Sequence, residues 1–248
     1  MVNVVSDAYS SRAAEYVERF ASMGDVHPSD RQLVATWADG VEGAVLDAGC
    51  GPGQWTNFLN EAGTPALGVD LVPEFIVHAR AAYPGIPFRT GSLNALDVST
   101  GTVGGVLAWY SLIHHEPDTI RTPLLEFHRV LSPGGGLLIG FFDGHVLEKF
   151  DHVVVPAYRW PVSDLCDELV ATGFDVVETH ARTTTGQRPH GAILARRDGA
   201  RRGSACGDNE KRDAQLTLAP DALVESANDK GLQEKHRVKI SGLVTGSP

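Results

Sequence analysis

The residues best arranged for chemistry lie at positions 45–55, VLDAGCGPGQW, where Gly49, Gly51 and Gly53 stand at alternate positions. An apolar run leads into them and helical spacing follows. Glycines in such a turn let a ligand approach the backbone with no β-carbon in the way. The N–H groups that open the next helix face an anionic group. A nucleotide-like ligand is the expectation. Asp70 ends the next apolar run, ALGVD, where a carboxylate accepts hydrogen bonds from ribose hydroxyls. The dinucleotide fingerprint G-x-G-x-x-G, counted from Gly49, requires glycine at position 54, and Gln54 stands there. The spacing D-x-G-x-G-x-G is met in full by Asp47, Gly49, Gly51 and Gly53. A nicotinamide-dependent oxidoreductase stays open as the alternative.

Further along, His114 and His115 follow the fourth apolar run, GVLAWYSLIHH, where a histidine could take a proton from a hydroxyl or amine near neutral pH. Together with Glu116 they make a poor metal site, because adjacent residues rarely point at one ion, and no metal is expected. Residues 141–161 read as an insertion that shapes a substrate pocket, with Tyr158, Arg159 and Trp160 as candidate contacts. Arg159 could hold a substrate carboxylate or simply stack and pair at the surface. Cys50 reads as small filler in the loop, with no base identifiable beside it.

These groups need a frame. Residues 44–48, 66–70, 86–90, 104–109 and 136–142 are short apolar runs suited to buried parallel strands. Helical spacing separates them, as in Trp55, Phe58, Leu59 and Ala62, or Phe75, Ile76, Ala79 and Tyr83. The alternation predicts an α/β, doubly wound sheet. Residues 174–180 and 190–197 are two more strand candidates with no helix between them, hence antiparallel. One helix is expected over 7–22 and another over 29–39, covering the sheet edge or the ligand crevice.

The charge of −10 disfavours nucleic acid, which requires clustered Lys and Arg. No run approaches a membrane span. Cys50, Cys166 and Cys206 are scattered and odd in number, so no disulfide framework is expected and a reducing cytoplasm fits. No aromatic residue follows Phe174. The segment 198–248 therefore reads as a disordered tail after a domain over 41–197, with 1–40 as the covering helices.

With DAGCGPG, GVD and LLEFHRVLSPGGGLLIGFF in place, the stretch from Tyr9 to Arg197 resembles the class I S-adenosylmethionine-dependent methyltransferases, especially the small bacterial type 11 and type 12 members. The resemblance implies a Rossmann-like, seven-stranded sheet, mostly parallel with an antiparallel last strand, and S-adenosyl-L-methionine as cofactor. It places Gly49, Gly51 and Gly53 along the methionyl part with Asp47 supporting the loop. Asp70 would bind the ribose, and Ser92 and Leu93 would sit beside the adenine. Trp109 and Tyr110 match the site below the donor methyl. Aromatic faces stabilise an onium cation, which adds Tyr9 and Trp55 as cofactor contacts. His114 and Tyr110 are the candidate catalytic groups. The implied partner is a small molecule methylated on oxygen, nitrogen or carbon by a monomer or homodimer. A protein that holds the cofactor without transferring methyl remains a further alternative.

Overall fold

The computed structural model describes residues 2–186 and 188–199. Apart from Asp198 and Gly199, the expected tail lies outside the described residues.

The central sheet is built outward from β1 (Val45–Ala48), whose four residues are all buried. β2 (Ala66–Asp70) and β3 (Phe88–Thr90) add in parallel on one side, and β4 (Val103–Trp109) and β5 (Leu131–Asp143) on the other. The order reverses between β1 and β4. A ligand crevice therefore opens beyond the carboxyl ends of those two strands, where both neighbouring crossovers turn away.

The two strands expected without a crossover helix are present as β8 (Phe174–Arg182) and β9 (His190–Arg197), paired antiparallel. β9 also runs antiparallel along β5, so the frame is the expected seven-stranded, mostly parallel sheet. Residues 141–161 do more than form a loop. β6 (Glu148–Phe150) and β7 (Ala157–Trp160) make a short ribbon, and β7 pairs with Phe142 and Asp143. Phe142 also faces His190 of β9. β7 therefore takes the other edge of β5, the one left open where β4 stops at Trp109.

Helices cover both faces. α6 (Arg121–Val130) and α7 (Val162–Ala171) bury Leu124, Phe127, Leu165 and Leu169 against one face. α3 (Pro28–Asp39) and α4 (Gln54–Glu61) bury Val34, Trp37, Trp55 and Leu59 against the other, and α5 (Pro73–Ala82) packs beside β2 and β3. The single helix expected over 7–22 is instead two, α1 (Val2–Ser10) and α2 (Ala13–Phe20). The break falls at serines whose hydroxyls bond elsewhere: Ser11 Oγ donates to the Ala8 carbonyl at 2.8 Å, and Ser10 Oγ donates to Glu74 at 2.8 Å. Such hydroxyls offer the backbone an alternative to helical pairing. Tyr9 consequently sits near the end of α1, not at the start of a longer helix. No helix among the described residues is long and apolar enough to cross a membrane.

The strand that sets the crevice depends on a close backbone approach. A β-carbon at Gly104 would lie 1.8 Å from the Glu42 carbonyl oxygen. Gly104→Ala should therefore cost about 1–3 kcal/mol or more, as overpacking does when backbone must move. Urea unfolding measures this, and an unchanged midpoint would contradict the approach.

Candidate functional site

The turn after β1 is held from two sides. Gly49 N–H and Cys50 N–H donate to the Val69 carbonyl at 2.7 and 3.0 Å, tying the loop to β2. Asp70 then takes one backbone N–H on each carboxylate oxygen: Gly51 at 2.8 Å and Val72 at 2.9 Å. Burial pushes its pKa up, and these backbone donors pull it back.

The three glycines have positive φ, 82°, 53° and 92° at Gly49, Gly51 and Gly53, but different surroundings. A β-carbon at Gly49 would meet Ser111 Cβ at 2.2 Å, and one at Gly53 would meet Phe88 and Ala79 inside 3 Å. At Gly51 the nearest atom would be 4.0 Å away, on Tyr16. Gly49 and Gly51 line two cavities, although Ser111 takes the place that a β-carbon on Gly49 would need. Gly53 is a packing glycine against α5 and β3, which corrects its expected place along a ligand.

Two cavities meet at this turn. The first, about 350 Å³, is walled by Tyr9, Asp70, Ser92, Leu93, Ser111 and His114 among others. The second, about 360 Å³, is walled by Asp47, Gln54, Trp55, Trp109 and Tyr110, with Asp30, Arg182 and His190. Gly49, Gly51 and Tyr16 border both. The expected cofactor residues are thus brought together around one loop, although Trp55, Trp109 and Tyr110 lie on its far side from Asp70.

The aromatic cover of the first cavity comes from α1 and α2. Tyr9 packs edge-on against Tyr16 at 5.5 Å and Phe75 at 6.0 Å. Burial drives both tyrosine hydroxyls up, Tyr16 to about 12. Below the loop, the Thr56 hydroxyl donates to Asp47 at 2.6 Å, and burial pushes the Asp47 carboxyl up to about 7.

His114 does not stand as a free base. Its Nδ1–H donates to the Pro156 carbonyl at 3.0 Å, which leaves Nε2 to accept from the Tyr9 hydroxyl at 2.8 Å. Both ring nitrogens are taken by the protein, and burial lowers its pKa. His115 reaches Asn94 at 3.2 Å.

The expected substrate contacts are corrected more fully. Tyr158 and Trp160 alternate into the core on β7, and the Tyr158 hydroxyl donates to Glu116. Arg159 pairs with Glu148 at 2.9 Å and sits 4.7 Å over the Phe150 ring. None of the three borders either cavity.

Sequence reasoning missed Tyr16 and Ser111, and with them the Asp30, Arg182 and His190 group. Tyr16 was visible only as one of the spaced apolar residues of a helix. Arg182 Nη2 bonds Asp30 at 2.8 Å across 152 positions, a separation no local pattern exposes.

Comparison with known proteins gives the family. A family model described as methyltransferase domain matches residues 45–135, the span from β1 into β5. A malonyl-[acyl-carrier protein] O-methyltransferase of Erwinia billingiae is 26% identical over 212 residues, 75% of this chain and 82% of that protein. Other relatives of that name are spanned over only about half their length. An uncharacterized methyltransferase of Synechocystis sp. is 31% identical over 55% of this chain and 68% of its own. The chain belongs to the class I S-adenosylmethionine-dependent methyltransferases.

The fold is shared with the Burkholderia thailandensis 1,6-didemethyltoxoflavin-N1-methyltransferase, solved with 1,6-didemethyltoxoflavin and S-adenosylhomocysteine (TM-score 0.66, 22% identity, 80% of this chain and 91% of that one). The family match and the named relatives, not the shared fold, give S-adenosylmethionine-dependent methyl transfer as the activity and set the nicotinamide alternative aside.

The Asp47 carboxyl yields a pH prediction. Its folded pKa, about 7, lies above the unfolded value near 3.9, so the folded state binds the proton more tightly. The stability it contributes is complete below about pH 4 and is lost as pH rises to about 7. In Asp47→Asn that loss should vanish, so the variant gains on the wild type between those pH values and not beyond. Chemical denaturation across pH 4–8 checks it; a constant difference would contradict the shift.

Proposed function

We propose that the first cavity holds the adenosyl part of S-adenosylmethionine, and that the enzyme methylates a small molecule. Asp70 carries this reading. It borders the cavity, and each of its oxygens accepts one backbone N–H, leaving lone pairs for two ribose hydroxyls. Ser92 and Leu93 would lie beside the adenine, and the bare backbone of Gly49 and Gly51 along the methionyl part. Trp55, Trp109 and Tyr16 offer ring faces where a sulfonium would pass between the cavities. Asp47 supports the loop through Thr56 without bordering the first cavity.

When bound, the donor supplies a methyl group already activated on positive sulfur. What the chain must add is orientation and exclusion of water, which can amount to about 7–11 kcal/mol. The cover made by α1 and α2 suits the exclusion of water, because Tyr9 and Tyr16 wall the first cavity and the Tyr9–His114 hydrogen bond fastens α1 to the segment after β4. A cover this close favours a small acceptor. Scattered cysteines and acidic charge support a cytoplasmic setting.

Calorimetry with S-adenosylhomocysteine tests the assignment. Asp70→Ala should weaken binding about tenfold or more, since a hydrogen bond to a charged group contributes about 1.5–3 kcal/mol. Unchanged affinity, or a larger rise in melting temperature with NADH than with S-adenosylhomocysteine, would refute it. Tyr9→Phe should release S-adenosylhomocysteine about two- to tenfold faster in stopped flow, reflecting about 0.5–1.5 kcal/mol for a neutral hydrogen bond. An unaltered release rate would mean that α1 does not fasten the site.

A further inference from the structure

Tyr110 alone, among the described residues, combines a side chain with a positive φ, 58°. A left-handed residue of this kind persists where its surroundings over-determine it. Its N–H donates to the Gly140 carbonyl at 2.9 Å, and its ring packs on Phe142 at 5.1 Å and Trp109 at 5.7 Å. Its hydroxyl meets His190 Nδ1 at the start of β9, within the second cavity.

Two further polar atoms belong to residues of that same cavity. Arg182 Nε and Gln54 Oε1 are both buried without a hydrogen-bond partner. A buried polar group without a partner is uncommon, and here a donor and an acceptor, both on residues that wall this cavity, are left open together. Trp55 and Trp109 supply flat apolar walls, and about 360 Å³ is the size of a small-ligand site.

We propose that the second cavity receives the methyl acceptor, a planar hydroxylated aromatic or enol, and that Tyr110 and His190 carry away its hydroxyl proton. The proposal rests on the donor occupying the first cavity. The acceptor O–H donates its proton to the Tyr110 oxygen while the Tyr110 O–H gives its own to His190 Nδ1. The freed oxygen pair forms the bond to the methyl carbon, and the carbon–sulfur pair stays on sulfur, which leaves as a neutral thioether. One positive charge is lost at sulfur and one is gained at the imidazole. His190 acts through Tyr110 and is a positioning residue in this scheme.

The charged and titratable groups facing His190 are Arg182 from β8, Asp30 from α3 and His27 just before it, besides Tyr110. Burial, Arg182 and His27 lower its pKa while Asp30 raises it, so the ring starts neutral at pH 7 and able to accept.

The full-length chain saturated with S-adenosylhomocysteine is titrated with 4-nitrophenol and with 4-nitroanisole, which lacks the proton. Both should bind. The visible band of bound 4-nitrophenolate should appear at a pH about one unit below that in free solution, a tenfold change in ionisation. His190→Gln, which keeps a hydrogen-bond acceptor, and Tyr110→Phe should bind 4-nitroanisole as before yet lose the displacement. The proposal is overturned if either compound fails to saturate the protein, if bound 4-nitrophenol ionises as in solution, or if the displacement survives in either variant. S-adenosylhomocysteine affinity, measured first without either compound, reports on the donor reading separately.

Discussion

The carboxylate of Asp70 is the point at which the site and the sheet are joined. Standing at the end of β2, it receives an N–H from the turn after β1 and another from the residue before α5. A buried carboxylate without such donors would neutralise, because removing charge from water is costly. Held by them, it fixes the path of Gly51 and keeps an acceptor facing the cavity. The same two bonds thus shape the loop and leave an acceptor bordering the cavity, the group the proposed ribose contact needs.

That loop also divides the crevice. Gly49, Gly51 and Tyr16 border both cavities, so whatever lies against the turn is within reach of groups on either side. One side offers Asp70 and small polar residues. The other offers indole walls and an ion pair. On the proposed reading the two reactants lie on opposite sides of one rigid turn, which for a donor already activated addresses the larger part of the barrier. The glycines serve this arrangement unequally, since Gly53 yields space to Phe88 while Gly51 yields it to the crevice.

The frame was legible because its signals are local. Apolar runs bounded by glycine and proline located β1 to β4, and the missing helix between residues 180 and 190 marked the antiparallel pair. The glycine turn at Gly49 and Gly51 and the carboxylate of Asp70 beside it were legible for the same reason. Other features depend on contacts distant in sequence. The helix break at Ser11 depends on hydroxyls bonding off-axis, one of them to Glu74. Tyr158 and Trp160 looked like pocket residues because their segment looked like a loop. Strand pairing with β5 turned them into core. Arg182 and Asp30 carry no motif, and only the placement of α3 against the end of β8 brings them together.

Two tyrosine–histidine pairs flank the turn, and their settings separate what each can do. Tyr9 and His114 join a helix to a loop, and the Pro156 carbonyl fixes the His114 tautomer so that its remaining nitrogen is occupied by the tyrosine. Such a pair can fasten or release a cover, but it has no nitrogen left for a substrate proton while fastened. Tyr110 and His190 join the ends of two strands of one sheet, with Phe142 packed against both rings. Groups borne on strands hold their geometry more closely than groups on a movable cover, and proton transfer depends on geometry within fractions of an ångström. The strand-borne pair is therefore the one whose position suits chemistry, and the helix-borne pair the one whose position suits opening.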